Sequence, residues 1–229
     1  MPNSPQHAAL RSAPRDGGSR DKILEVAEAL YARRGFAGVG MREVAEAAGL
    51  GKSSLFHHFR SKVQLYLAVH ERVLARLDER LAAVLASDVA PVERLDRWVD
   101  AAIDAFAEQP SSARILLRAL VEEKAFESEE WPEGPAVDAR IVSILDGIVH
   151  LLGEGMQAGV FRAASPSHVV QTLIGATLYH FASGELGEAL LGTPLLSAGA
   201  VRARKAETKT FLHHGLVQSA VQSNGGDES

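Results

Sequence analysis

Apolar residues recur along this chain at helical spacing, and no stretch alternates with the period of a strand. Ile23, Val26, Ala27 and Leu30 share one face of a first helix, which Ser19 is placed to cap and Gly35 ends. Met41, Val44, Ala45 and Ala48 repeat the pattern in a short helix stopped by Gly49. Leu55 and Phe59 share a face of a third short helix, Lys52 to Phe59. Ser61 and Gln64 form a capping box that opens a long helix to about Ala86, carrying Leu65, Val69, Val73, Leu77, Leu81 and Val84. Pro91 suits the first turn of the next helix, whose apolar face runs from Val92 to Phe106 before Pro110 breaks it. Ser112 is read as the cap of a helix holding Ile115, Leu116, Ala119 and Leu120, which the acidic stretch Glu127 to Pro135 interrupts. A further helix runs from Val137 to near Gly159. Ser165-Pro166 opens a nearly all-apolar helix to about Ala182, and a glycine-rich connection leads to a last helix from about Ala200 to Val221. The expected class is all-α, with about nine helices and no strands.

Composition narrows the chemistry. A hydrophobic fraction of 46% and a charged fraction of 23% in 229 residues allow a sizeable core. With no cysteine, disulfides, thiolate metal sites and thiol nucleophiles are excluded. No run reaches the ~18 apolar residues of a membrane span, and the opening residues lack an apolar export segment. The expectation is a cytoplasmic protein without a membrane partner. Residues 1–18 and 224–229 are read as disordered tails.

Charge is distributed unevenly. The net charge is −5 overall, but +3 over residues 20–62 and −9 over residues 63–229. Between Gly51 and Lys62 stand Lys52, Arg60 and Lys62 with two histidines and no acid, a small patch of the kind phosphates attract. The patch coincides with the most informative spacing in the chain. Two short helices separated by a three-residue, glycine-bearing turn have the layout of a helix-turn-helix. In that layout Lys52, Ser53, Ser54, Phe56 and His57 project toward a DNA groove, Arg60 and Lys62 toward phosphates, and Arg42 toward the groove edge. The same spacing is also compatible with a hairpin that is only part of a helical bundle.

The stretch from Asp21 to Val69 resembles the N-terminal domain of TetR-family (TetR/AcrR) transcriptional regulators. The resemblance rests on the Ile-Leu pair of the first helix, Gly35-Phe36, Val44-Ala45 to Ala48-Gly49, Leu55-Phe56-His57-His58-Phe59 and Ser61-Lys62. It implies a three-helix DNA-binding domain, residues 19–62, joined by the long helix to a ligand-binding and dimerisation domain, residues 63–223. By resemblance, Arg42, Lys52, Ser53 and Phe56 touch bases, while Ser54, His57, His58 and Lys62 touch phosphates or brace the backbone. There are departures from the family pattern. Gly40 and Gly51 replace the usual Ser or Thr caps, Phe56 replaces Tyr, and Val63 replaces Glu.

The remainder offers fewer signals. The helix from Pro166 to Ala182 is apolar nearly all round, so a second subunit is expected to cover it, and by resemblance it pairs with the last helix in a homodimer interface. Candidates for a small-molecule pocket are Trp98, Phe106, Arg118, Glu122, His150, Tyr179 and His180, with Trp131 as a lid. No metal site is expected: adjacent histidines such as His57-His58 or His213-His214 diverge by ~100° on a helix, and Asp146, His150 and Glu154 read as a surface stripe. No catalytic constellation, phosphate loop or dinucleotide fingerprint is present, and no cofactor is expected. The expected function is a dimeric, ligand-responsive regulator, a repressor released from a pseudo-palindromic DNA operator by a small molecule. The alternatives are an activator or co-repressor-dependent regulator, and a helical enzyme or carrier on the same scaffold.

Overall fold

The computed structural model describes residues 16–122 and 134–218. Ten helices account for most of these residues: α1 (Asp16–Arg34), α2 (Met41–Ala47), α3 (Lys52–His58), α4 (Lys62–Leu85), α5 (Pro91–Glu108), α6 (Pro110–Glu122), α7 (Gly134–Gln157), α8 (Pro166–Ala182), α9 (Glu185–Leu191) and α10 (Ala198–Leu216). The expected tail 224–229 and Trp131 lie outside the described residues, as does the side chain of Glu122.

Two apolar cores organise the helices. One gathers Ile23, Leu24, Ala27 and Tyr31 of α1, Val44 and Ala45 of α2, Leu55 of α3, and Leu65, Tyr66, Val69 and Val73 of α4. The other gathers Leu74 and Leu81 of α4 with the buried faces of α5, α7, α8 and α10. α4 serves both, since 24 residues at ~1.5 Å each span ~36 Å.

The cores are clamped together where α6 lies on α1. Ile115 of α6 is buried in the first core. Glu28 of α1, only 4% exposed, is held by Arg76 of α4 at 2.8 Å and by the Ser111 hydroxyl at 2.8 Å. On the far side, α10 is pinned to α5 by a ladder of Lys205–Asp104, Lys209–Asp100 and His213–Asp96 pairs at 2.6–2.9 Å.

Several local expectations change. α1 begins at Asp16, so residues 16–18 are helical and Ser19 is interior rather than a cap. α6 begins at Pro110, and Ser112 is buried inside it, its hydroxyl accepting from Arg76 at 3.3 Å. The supposed glycine-rich connection contains α9, where Gly187 is buried against Ser183 and Leu195 in a fit that a side chain would obstruct. α10 stops at Leu216 because the chain then pairs with Phe161: Arg162 N–H donates to Leu216 O at 2.8 Å and Gln218 N–H to Val160 O at 2.9 Å.

Candidate functional site

The turn between α2 and α3 follows from Gly49. Its φ of +67° is the left-handed conformation that glycine adopts without a Cβ penalty. It lets Leu50 N–H reach Ala45 O at 2.9 Å while Gly49 N–H reaches Glu46 O at 3.0 Å, the paired bonds of a Schellman C-cap. Gly40 and Gly51 hold extended N-cap conformations without a side-chain cap bond. α4 is capped more fully. Ser61 Oγ accepts from Gln64 N–H at 3.0 Å, while Gln64 Oε1 accepts from Arg60 N–H, one residue before the expected position.

This framework points Leu55 and Phe59 inward, 0% and 2% exposed. Lys52, Ser53, Phe56 and His57 therefore face outward together, with Ser54 and His58 half-buried at the flanks. The Lys52 ammonium sits 5.6 Å from the Phe56 ring centre. Arg42 is exposed beside them, its Nε donating to Glu46 at 2.8 Å. The Lys62 ammonium lies 4.3 Å over the Phe36 ring and 3.4 Å from Ala37 O. Arg34 pairs with Glu43 on the outer side of the same domain.

Phe36 begins a contiguous set of rings. Its ring meets the edge of Tyr66 at 5.1 Å, Tyr31 meets Tyr66 at 4.9 Å, and the Tyr66 ring lies 4.2 Å from that of His70. Burial and the neighbouring Tyr66 push the Tyr31 hydroxyl well above the usual tyrosine range. His70 Nδ1 bonds to Tyr66 O at 2.9 Å, so that nitrogen carries the proton.

Tyr66 and His70 also line a cavity of about 650 Å³ enclosed by α4, α5, α6, α7 and α8. Its wall is mostly Leu, Ile, Val and Ala, with Trp98, Phe106 and Thr177, and its mouth opens between Leu120 of α6 and Asp138 and Ile141 of α7, all exposed. Of the residues expected at a pocket, Trp98 and Phe106 line this one. Arg118 does not: it is partly exposed and donates to Arg33 O at 3.3 Å. His150 turns outward beside Glu154, its side chain 78% exposed, and Tyr179 is 52% exposed. His180 is buried elsewhere, against Phe181. Burial, with Arg204 nearby, pushes its pKa down to about 4. Sequence reasoning missed Tyr66 and His70, whose signal is a polar pair four residues apart within the apolar stripe of α4.

Among the described residues no group of acids and histidines is arranged to hold a metal ion, and no helix is long and apolar enough to cross a membrane.

Comparisons with known proteins cover both cores. Residues 23–69 match the family model of bacterial regulatory proteins, tetR family, and residues 91–211 match that of the tetracyclin repressor-like C-terminal domain. The HTH-type transcriptional repressor KstR2 of Mycolicibacterium smegmatis is 28% identical over 161 residues, covering 70% of this chain and 72% of that protein. Among solved structures, the ketosteroid transcriptional regulator KstR2 of Mycobacterium tuberculosis aligns with a TM-score of 0.70 at 23% identity, over 93% of this chain and 100% of that one. AibR in complex with isovaleryl coenzyme A and operator DNA aligns with a TM-score of 0.62 at 23% identity, over 81% and 97%. The C-terminal match alone spans more than half of the chain, and the N-terminal match falls on the helix-turn-helix just described. The chain belongs to the tetR family of bacterial regulatory proteins, DNA-binding transcriptional regulators rather than enzymes.

Proposed function

We propose that this chain is a homodimeric repressor that reads a pseudo-palindromic operator with α3 and leaves it when a small molecule fills the cavity between α4 and α8. The observation that carries the reading is the physical continuity between the two sites. The rings of His70, Tyr66 and Phe36 run unbroken from the cavity wall to the Lys62 ammonium, in steps of 4.2, 5.1 and 4.3 Å. In this reading Lys52, Ser53 and Phe56 meet bases with Arg42, while Ser54, His57, His58 and Lys62 meet phosphates or brace the backbone. The naming of KstR2 as a repressor supports the DNA-binding role, and AibR, a protein of the same fold, is seen with both a small molecule and operator DNA.

Dimerisation follows from surfaces that a single chain leaves open. Gly175, Ala176 and Tyr179 form an exposed stripe on α8, and Ala203, Ala206 and Phe211 one on α10. Pairing these helices with their mates covers both stripes and sets two copies of α3 toward successive major grooves, ~34–36 Å apart. A ligand that favours another spacing then weakens both half-sites at once. Moving the population from 1:99 to 99:1 takes ~5.5 kcal/mol of differential affinity. The place of work is the cytoplasm, with the chromosome.

A gel shift with the gene's own upstream DNA and with random DNA tests the reading. Lys62→Ala should weaken both complexes alike and lower the salt slope by about one unit, whereas Lys52→Ala should also relax the preference for the specific fragment. Equal losses on both DNAs for Lys52→Ala would remove its base-reading role. Failure of the unaltered protein to bind either DNA at low salt would remove the function.

A further inference from the structure

The cavity wall has a composition that selects its occupant. It carries one carboxylate, Asp138 at the mouth, and one imidazole, His70, but no lysine or arginine among the described residues. Arg140, between Asp138 and Ile141 on α7, is already paired with Glu71 at 2.7 Å and Asp78 at 2.9 Å. A carboxylate or phosphate drawn into this space would be desolvated among leucines and isoleucines with no lysine or arginine among the described wall residues to face, and would meet Asp138 on entry. Trp98 lines the wall, but its Nε1–H is buried out of reach of a water-sized group in the cavity and has no hydrogen-bond partner among the described residues, so the wall offers an occupant almost only apolar surface. At the ~30 Å³ that a water molecule occupies in the liquid, 650 Å³ holds an apolar body of roughly twenty heavy atoms.

We infer that the effector is an uncharged, largely hydrocarbon molecule of about that size. The inference rests on the cavity being the effector site. It separates this chain from a receptor for a charged ligand, because the inferred effector carries no charge.

Calorimetry on the full-length chain tests it with two sets of probes, each sharing one hydrocarbon body: myristyl alcohol, myristate and myristoyl-coenzyme A, and progesterone with a carboxylate of the same ring system. The neutral member of at least one set should bind 30-fold or more tighter than its charged counterparts and release the protein from upstream DNA. Ala119→Trp, which fills the cavity near its mouth, should abolish ligand binding while upstream DNA is still bound, showing that the variant folds. Tighter binding of the carboxylates or of the coenzyme A thioester would overturn the inference, as would DNA binding by a protein that takes up neither neutral probe. A neutral preference in a protein that ignores DNA would uphold the ligand class and overturn the regulatory reading instead.

Discussion

The core around Leu55 and the wall of the cavity are made from the same residue types, yet they place different demands on the chain. The first must present a few side chains at fixed positions outside a tightly packed unit: Leu55 is 0% exposed and Phe59 2%, and that burial alone decides that Lys52, Ser53, Phe56 and His57 face outward. The second must leave space among five helices that are distant in sequence. A surface that reads another molecule is specified by local geometry, a turn glycine and a cap. A cavity is specified by what is missing between long-range partners, and many combinations of Leu, Ile and Val leave the same gap. The two regions should therefore respond separately to perturbation except where the Glu28–Arg76 clamp and the Phe36–Tyr66–His70 rings join them.

The clamp is the place to break that separation, and it carries the largest expected effect. Arg76→Met leaves Glu28, 4% exposed, without its guanidinium partner and with only the Ser111 hydroxyl. Stranding a buried charge in this way costs about 3–5 kcal/mol. Urea unfolding should register most of that loss, and the double variant Glu28→Gln with Arg76→Met should recover a large part, because the stranded charge is then gone. A double variant no more stable than Arg76→Met would show that packing of the Arg76 stem, rather than the charge on Glu28, carries the effect.

The same contrast decides what could be read from the sequence. The helix-turn-helix was legible because its determinants are neighbours: Gly49 between two short helices, Leu55 and Phe59 four apart, Ser61 three residues before Gln64. α9 was not, because Gly184, Gly187 and Gly192 read as a loop, whereas Gly187 is the residue that lets α9 pack against Ser183 and Leu195. The end of α10 was overrun for a related reason, since the pairing of Val217 with Phe161 joins positions 56 residues apart. The cavity candidates were chosen as polar or aromatic interruptions of apolar faces, a rule that gathered surface residues such as His150 and Tyr179 along with Trp98. Nothing local distinguishes an interruption that faces a void from one that faces solvent. Tyr66 and His70 were passed over because the stripe they interrupt looked like core.

A perturbation confined to the second region comes next in size. Burial beside Arg204 holds His180 at a pKa of about 4, below the ~6.5 of an unfolded histidine. The unfolded chain therefore takes up the proton first. Stability is complete above about pH 6.5 and falls as pH drops from there toward 4. Between pH 7 and pH 5 the loss should be about 1–2 kcal/mol in urea unfolding, and His180→Gln should flatten that part of the profile. A profile unchanged by the substitution would assign the acid sensitivity to groups other than His180.

The smallest effect belongs to the DNA face and sharpens the contrast from the other side. Arg42 and Glu46 are bonded at 2.8 Å, but their side chains are 84% and 64% exposed, so the pair contributes little to stability. On the proposed DNA face the two residues would act in opposite senses, the guanidinium drawn to the groove edge and the carboxylate one turn along α2 repelled by the same phosphates. Glu46→Gln should therefore barely change unfolding yet tighten binding several-fold at low salt, on specific and random DNA alike. The gain should fade by 0.5 M salt, where charges more than a few ångströms apart are screened. If Glu46→Gln instead weakens binding, the carboxylate is what aims Arg42, and the bond at 2.8 Å is a built part of the reading face rather than a resting contact that DNA displaces.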